Sequence, residues 1–290
     1  MSGSCTAVLT LASVDRMPRV RRQHEALRRY HAERLAEGSL IHVLALLGDA
    51  PREAPGEARD RSWLVVPVPE GLAGGQAHLA RARNLAAAAG REAGADLLVF
   101  LDADCLPGPR LLQRCEAAAV AHPRALLAGP VTYLDPEQSR WDLERIAAAP
   151  HPHPARPDPP DGEVLLMRAG REERAAWDLF WSLSFAVRPE VFDRIGGFFE
   201  GYTGYGGEDT DFAYRAYRAG VNLAWVGGAH AFHQHHPVSS PPVEHLADIL
   251  VNARLFRERW GVWPMRGWLE AFAERGLARW DPERGWLPTS

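Results

Sequence analysis

The chain predicts an α/β protein with a mainly parallel sheet flanked by helices, and three observations carry that expectation. Short apolar runs recur at Cys5–Ala12, Leu40–Gly48, Ser62–Pro69 and Ala95–Asp102. Helix-like stretches lie between them, Arg19–Ala36 and Gln76–Glu92, followed by Gly38 and Gly94, where a left-handed terminal residue is easily placed. Strand-length runs alternating with helices mark βαβ units whose strands are covered on both faces.

Each element follows in order. CTAVLTLA opens as a buried strand broken at Ser13–Asp15, and ADLLVFLD is the strongest strand in the chain. Pro107–Ala121 reads as a helix and Ala125–Leu134 as a strand. Beyond residue 135 the alternation loosens. Gln138–Ala149 reads as a helix, but HPHPARPDPPDG (His151–Gly162) is a loop, since its prolines cannot donate to a ladder or helix. A loop of that length is a candidate cover for a site. Phe180–Val187 reads as a strand, Pro189–Ile195 as a short helix, Asp209–Ala219 as a helix closed by Gly220, and Val221–Gly228 as a strand. The aromatic-rich tail places Leu246, Ile249, Leu250, Ala253 and Phe256 at helical spacing. The expected organisation is one α/β domain over residues 1–237 with a helical tail over 238–290 packed on it.

Composition narrows the function. The 290 residues carry a net charge of -4 with pI ≈ 6.3, which disfavours a general nucleic-acid or anionic-membrane binder. All 33 basic residues are arginine, whose planar fork suits phosphate. Three cysteines give no disulfide framework, and no apolar run reaches the length of a membrane span. The start, MSGSCTAVLTLAS, lacks a basic segment followed by a long apolar one. The expectation is a soluble, cytoplasmic protein with no integral membrane segment.

Three clusters carry chemistry. Asp102 and Asp104 sit at the carboxyl end of the strongest strand, where open α/β sheets bind ligands. Two carboxylates two residues apart in extended chain project to one side and suit a hard divalent cation. The plain alternative is that Asp104 caps the following helix. The second cluster is GGFFEGYTGYGGEDTDFAYR (Gly196–Arg215), a glycine-rich loop containing Tyr202 and Tyr205 and ending in Glu208, Asp209 and Asp211. Acids at a helix start complement the macrodipole, yet that leaves six glycines and two tyrosines unexplained. A carboxylate beside a flexible aromatic loop suits a general base next to an acceptor hydroxyl. The third is His230 with AFHQHHP, where His233, His235 and His236 offer imidazole to a metal already held by aspartate. Arg16, Arg81 and Arg83 are candidate phosphate clamps, and Cys105 reads as packing.

Together, LLVFLDADCLP and IGGFFEGYTGYGGEDTDF, with Arg83–Asn84 as a weaker feature, resemble an inverting family 2 glycosyltransferase of the GT-A fold. The second half is similar to the galactosyltransferase C-terminal domain. The resemblance implies a nucleotide-sugar half over 1–125 and an acceptor half over 126–237. It implies donor contacts from Arg16, Arg83, Asn84 and Asp102, and a divalent metal, Mn²⁺ or Mg²⁺, on Asp102, Asp104 and His233, with His235 second. Asp209 would be the general base, with Glu208, Tyr205, Gly206 and Gly207 holding the acceptor. The implied partners are a nucleotide-diphosphate sugar, uridine being the commoner base, and a glycan, lipid-linked or small-molecule acceptor. A tryptophan is usual where this chain has Tyr205, so the acceptor platform differs. Two other readings stand beside this one. One is a non-catalytic protein of the same fold that binds nucleotide-sugar or carbohydrate. The other is a sugar nucleotidyltransferase, which normally opens with a glycine-rich basic loop that MSGSCTAVLTLASVDR lacks.

Overall fold

The buried apolar runs of the N-terminal half form strands, as their continuous hydrophobicity requires. A computed structural model describes residues 4–48, 63–68, 78–237 and 239–289. In chain order the elements of the sheet-forming half are β1 (Thr6–Ser13), α1 (Met17–Glu37), β2 (Leu40–Leu47), β3 (Trp63–Val68), α2 (Leu79–Glu92) and β4 (Leu97–Leu101). There follow β5 (Cys105–Pro107), α3 (Leu111–Ala121), β6 (Ala125–Ala128), β7 (Val131–Tyr133), α4 (Leu143–Ala148) and β8 (Val164–Met167). Next come β9 (Ser184–Val187), α5 (Pro189–Ile195), α6 (Glu208–Arg218), β10 (Asn222–Val226) and β11 (Ala231–His233). The tail holds α7 (Leu246–Trp260), α8 (Arg266–Glu274), β12 (Ala278–Asp281) and β13 (Gly285–Pro288). The ends of two expected elements, Ser62 and Pro69 of one strand and Gln76–Ala77 of one helix, lie outside the described residues.

An eight-stranded sheet runs β3-β2-β1-β4-β9-β6-β10-β8. Its first four strands are mutually parallel, as are β6 and β10, while β9 and the edge strand β8 run antiparallel to their neighbours. The mainly parallel α/β architecture is therefore present. A three-stranded sheet, β5-β11-β7, stands beside it, and this small sheet positions the site.

Four local expectations are corrected. Ala125–Leu134 is two strands in different sheets, because Gly129–Pro130 interrupts the run and proline cannot continue the ladder. A Cβ on Gly129 would collide with the Ala229 carbonyl oxygen, so only glycine lets the chain cross there. Gln138–Ala149 supplies a short 3₁₀ turn at Gln138–Arg140 and the six-residue α4, which Asp142 caps by accepting from the Arg145 N–H at 2.7 Å. The strand expected over Phe180–Val187 is limited to β9, since the chain turns at Ser182–Leu183 before it. The tail is only partly helical and ends in the β12–β13 hairpin.

Aromatic packing joins the sheet to the acidic loop. Phe100 on β4 stacks on Phe185 of β9 at 4.4 Å, and Phe198, just past α5, stacks on Phe212 of α6 at 4.2 Å. Each buried phenylalanine contributes about 1.5–3 kcal/mol of transfer free energy. This cluster fixes α6, and hence its N-terminal acids, against the strand that carries Asp102.

Candidate active site

The carboxyl end of β4 turns sharply into β5, and the turn is held from below. Gln23 of α1 donates from Nε2 to the carbonyls of Asp102 (2.8 Å) and Cys105 (2.7 Å), while Thr10 donates to its Oε1 at 2.7 Å. Antiparallel pairing of β11 with β5 sets His233 opposite Cys105, and the Gln234 N–H donates to the Asp104 carbonyl at 2.7 Å. That register delivers two histidines to one carboxylate. His233 Nε2 lies 3.5 Å from Asp104 Oδ1, and His236 Nε2 lies 3.2 Å from Asp104 Oδ2. One ligating atom from each of Asp104, His233 and His236 falls within 4.8 Å of the others. Two imidazole nitrogens and a carboxylate oxygen form a donor set that fits a divalent cation.

Burial works to raise the Asp104 carboxyl, but the hydrogen bond from His236 and the charges of His233 and Arg16 outweigh it and hold the group down to about 2. Arg16 Nη1 sits 3.1 Å from Asp104 Oδ2. Burial lowers the His233 imidazole, the neighbouring Asp104 only partly opposing this, which favours the neutral ring that metal ligation requires. Asp104 does not cap α3, whose start has no side-chain cap.

Asp102, expected at the metal, lies outside that three-residue cluster and faces Arg83, Oδ1 to Nη2 at 3.4 Å. Loss of solvation in the cleft pushes its carboxyl up to about 6, Arg83 pulling the other way. Arg83 is buried on α2 and reaches Glu208 Oε1 with Nη1 at 3.0 Å, its guanidinium lying 5.1 Å over the Phe198 ring. Burial works against its charge, but Asp102 and Glu208 more than restore it. Asn84, expected at the donor, is committed elsewhere. Its Nδ2 donates to the Phe198 carbonyl (2.9 Å) and Glu200 Oε1 (2.8 Å), and its Oδ1 accepts from the Phe198 N–H (2.8 Å). Asn84 thus fastens the loop after α5.

The acidic loop reaches α6 through Gly204, Gly206 and Gly207, all at positive φ, with Gly207 at φ 91 as the N-cap. Gly207 has no side chain with which to cap this helix, and Glu208, Asp209 and Asp211 fill its first turn. Glu208 is buried against Arg83. Asp209 is half-buried, and its Oδ1 accepts from the Thr210 N–H at 2.7 Å. Burial, then the adjacent Glu208, pushes the Asp209 carboxyl up to about 7, the Thr210 N–H partly opposing. A carboxylate with that value is poised to take a proton near neutral pH. Of the two loop tyrosines, Tyr202 is buried and turned to Asp211 at 3.3 Å, whereas Tyr205 is 37% exposed and stacks on His245 at 4.4 Å.

The tail, to which sequence assigned only packing, grips this loop. Asn252 on α7 is buried and donates from Nδ2 to the carbonyls of Thr203 (2.9 Å) and Tyr205 (3.1 Å). Arg259 and Trp260 donate to Asp211 Oδ1 at 2.7 and 2.6 Å. Sequence reading missed Asn252 and Gln23, and ranked His235 second where the geometry selects His236. His235 is exposed, with its backbone N–H on Ser139 Oγ at 2.7 Å. His230 is a bystander, its Nε2 bonded to Thr132 Oγ1 at 2.7 Å.

The comparisons with known proteins fall on the same elements. A family model described as the N-terminal domain of galactosyltransferase matches residues 171–237, which hold α5, α6 and the histidine segment. Validoxylamine A glucosyltransferase of Streptomyces hygroscopicus subsp. jinggangensis is 32% identical over 156 residues, covering 50% of this chain and 36% of that protein. The chain thus spans about a third of the length of the curated relatives it matches. Two crystal structures share the fold. TarS 1-349 of S. aureus in complex with UDP-GlcNAc has a TM-score of 0.58 at 10% identity, covering 86% of this chain and 66% of that one. GalNAc-T7 with UDP, GalNAc and Mn²⁺ has a TM-score of 0.55 at 13% identity, covering 94% and 57%. In fold and in its galactosyltransferase-type segment, the chain is GT-A glycosyltransferase-like.

Proposed function

We propose that the protein is an inverting glycosyltransferase that moves a sugar from a nucleotide-diphosphate donor to an acceptor hydroxyl, with Asp209 as the general base. The observation that carries this reading is that Arg83 joins Asp102, two residues from Asp104 of the Asp104–His233–His236 donor set, to Glu208, which precedes a half-buried Asp209 raised to about 7. The UDP and UDP-GlcNAc held by the two structures of like fold support a UDP-linked donor.

Asp104, His233 and His236 would hold a divalent cation, Mn²⁺ or Mg²⁺. When bound, that ion supplies neutralisation of the diphosphate charge. Arg16 orients Asp104, and Arg83 holds Glu208 and Asp102 in place between donor and acceptor. Tyr205, with Gly206 and Gly207 giving close backbone approach, borders the acceptor. Asp209 takes the proton from the attacking hydroxyl as the bond to the anomeric carbon forms and the bond from that carbon to the diphosphate oxygen breaks; the nucleoside diphosphate leaves, and the single in-line displacement inverts the centre.

The test is nucleoside-diphosphate release from a panel of nucleotide-sugars with Mn²⁺, Mg²⁺ or EDTA. Release from one donor that EDTA abolishes supports the reading. Binding of a donor without release under any acceptor tried would favour a binding protein of the same fold.

A further inference from the structure

Arg156 presents a charge that none of the described residues answers. It lies on the proline-rich 151–162 segment, is only 3% exposed, and its Nε, Nη1 and Nη2 are all buried with no hydrogen-bond partner among the described residues. Its guanidinium is gripped between two indoles, 5.0 Å from the Trp225 ring and 5.5 Å from the Trp181 ring. Cation–π contacts hold the faces of a guanidinium but leave its edge donors unsatisfied. A buried charge without a counter-charge is costly, and folded proteins rarely retain one without a reason.

The surroundings point to that reason. Tyr133, 42% exposed, lies with its ring 4.8 Å from His233 and 5.7 Å from His153, and His153 lies 5.1 Å from Trp181. A continuous layer of rings therefore runs from the Asp104–His233–His236 cluster to the pair that grips Arg156. Burial lowers the guanidinium to about 10, which still leaves it cationic at neutral pH.

We propose that Arg156 is a further substrate-binding residue beside the Asp104–His233–His236 cluster, its free edge taking an oxyanion of the donor. The inference rests on the glycosyltransferase reading above. The oxyanion is either a phosphate of the diphosphate or a carboxylate on the transferred sugar. Anion recognition of this kind favours arginine over lysine, because the fork engages two oxygens at once.

The test is calorimetric binding of UDP, GDP, UDP-glucose and UDP-glucuronate in the presence of Mn²⁺, with melting temperature measured in parallel, on wild type, Arg156→Met and Arg156→Lys. Phosphate recognition predicts that Arg156→Met weakens nucleoside diphosphate and both sugars alike, by about 10- to 100-fold. Carboxylate recognition predicts that only UDP-glucuronate weakens. Either result supports the proposal when the melting temperature holds or rises, as removal of an unanswered buried charge should cause. Unchanged affinities in folded variants would overturn it, as would loss of folding in both variants, which would make Arg156 structural. Wild type that binds none of the four would instead overturn the glycosyltransferase reading, and this inference with it.

Discussion

Arg83 Nη1 reaches Glu208 Oε1 at 3.0 Å, tying α2 to the first residue of α6. The same guanidinium faces Asp102 at 3.4 Å. One buried cation thus organises carboxylates from two motifs that are far apart in sequence.

Breaking this contact from one side should be worse than removing it. Arg83→Met leaves Glu208 buried without its partner and is expected to destabilise by about 3–5 kcal/mol in denaturant titration. The double variant Arg83→Met/Glu208→Leu should recover much of that stability while remaining inactive. A double variant as unstable as the single one would show that the pair is not the source of the loss.

Asp209 carries a pH signature. Its folded value of about 7 exceeds the ordinary carboxylate value of about 4. A raised carboxylate contributes stability that is fully present below its unfolded value and is lost as pH rises through the folded one. Asp209→Asn removes that loss. Its melting temperature should exceed that of wild type at pH 8, with the gap closing toward pH 4. A gap independent of pH would place the group in ordinary solvent.

The metal assignment separates two neighbouring histidines. His236→Ala should weaken Mn²⁺ binding by at least about tenfold, the scale on which even outer-shell changes act, whereas His235→Ala should leave it unchanged. Titration calorimetry of Mn²⁺ into each variant decides, and equal effects would remove His236 from the ligand set.

Asn252 offers a test of the tail. Asn252→Ala removes the amide that donates to the loop backbone at the Thr203 and Tyr205 carbonyls. The KM for acceptor should rise several-fold while donor binding stays at the wild-type level. A loss shared equally by donor and acceptor would mean that α7 supports the whole fold and not the loop.

These tests also mark where sequence stopped being informative. Asp104 and the Gly204–Asp209 run were legible because each is local: a strand end and a glycine turn entering a helix carry their geometry in adjacent residues. His236 was not singled out, because its position depends on β11 pairing with β5, a register set by residues far away in the chain. Asn252 and Gln23 looked like ordinary polar helix residues, since their bonds run to backbone carbonyls that periodicity cannot foresee. Asp102 and Asn84 were drawn toward the ligand by motif alone. The structure adds what the motif does not carry, Asp102 facing Arg83 and Asn84 bonding the Phe198 backbone. Tyr202 was equally plausible as an exposed ring, until packing buried it against Asp211.

The central claim is that Asp209 acts as base at a site whose donor is held elsewhere. Its most direct test is transfer by Asp209→Asn, measured beside donor binding in the presence of Mn²⁺. The account predicts transfer lowered by about 10²–10⁴-fold with donor affinity within a few-fold of wild type. Transfer at the wild-type rate, or donor binding lost in proportion to transfer, would contradict it.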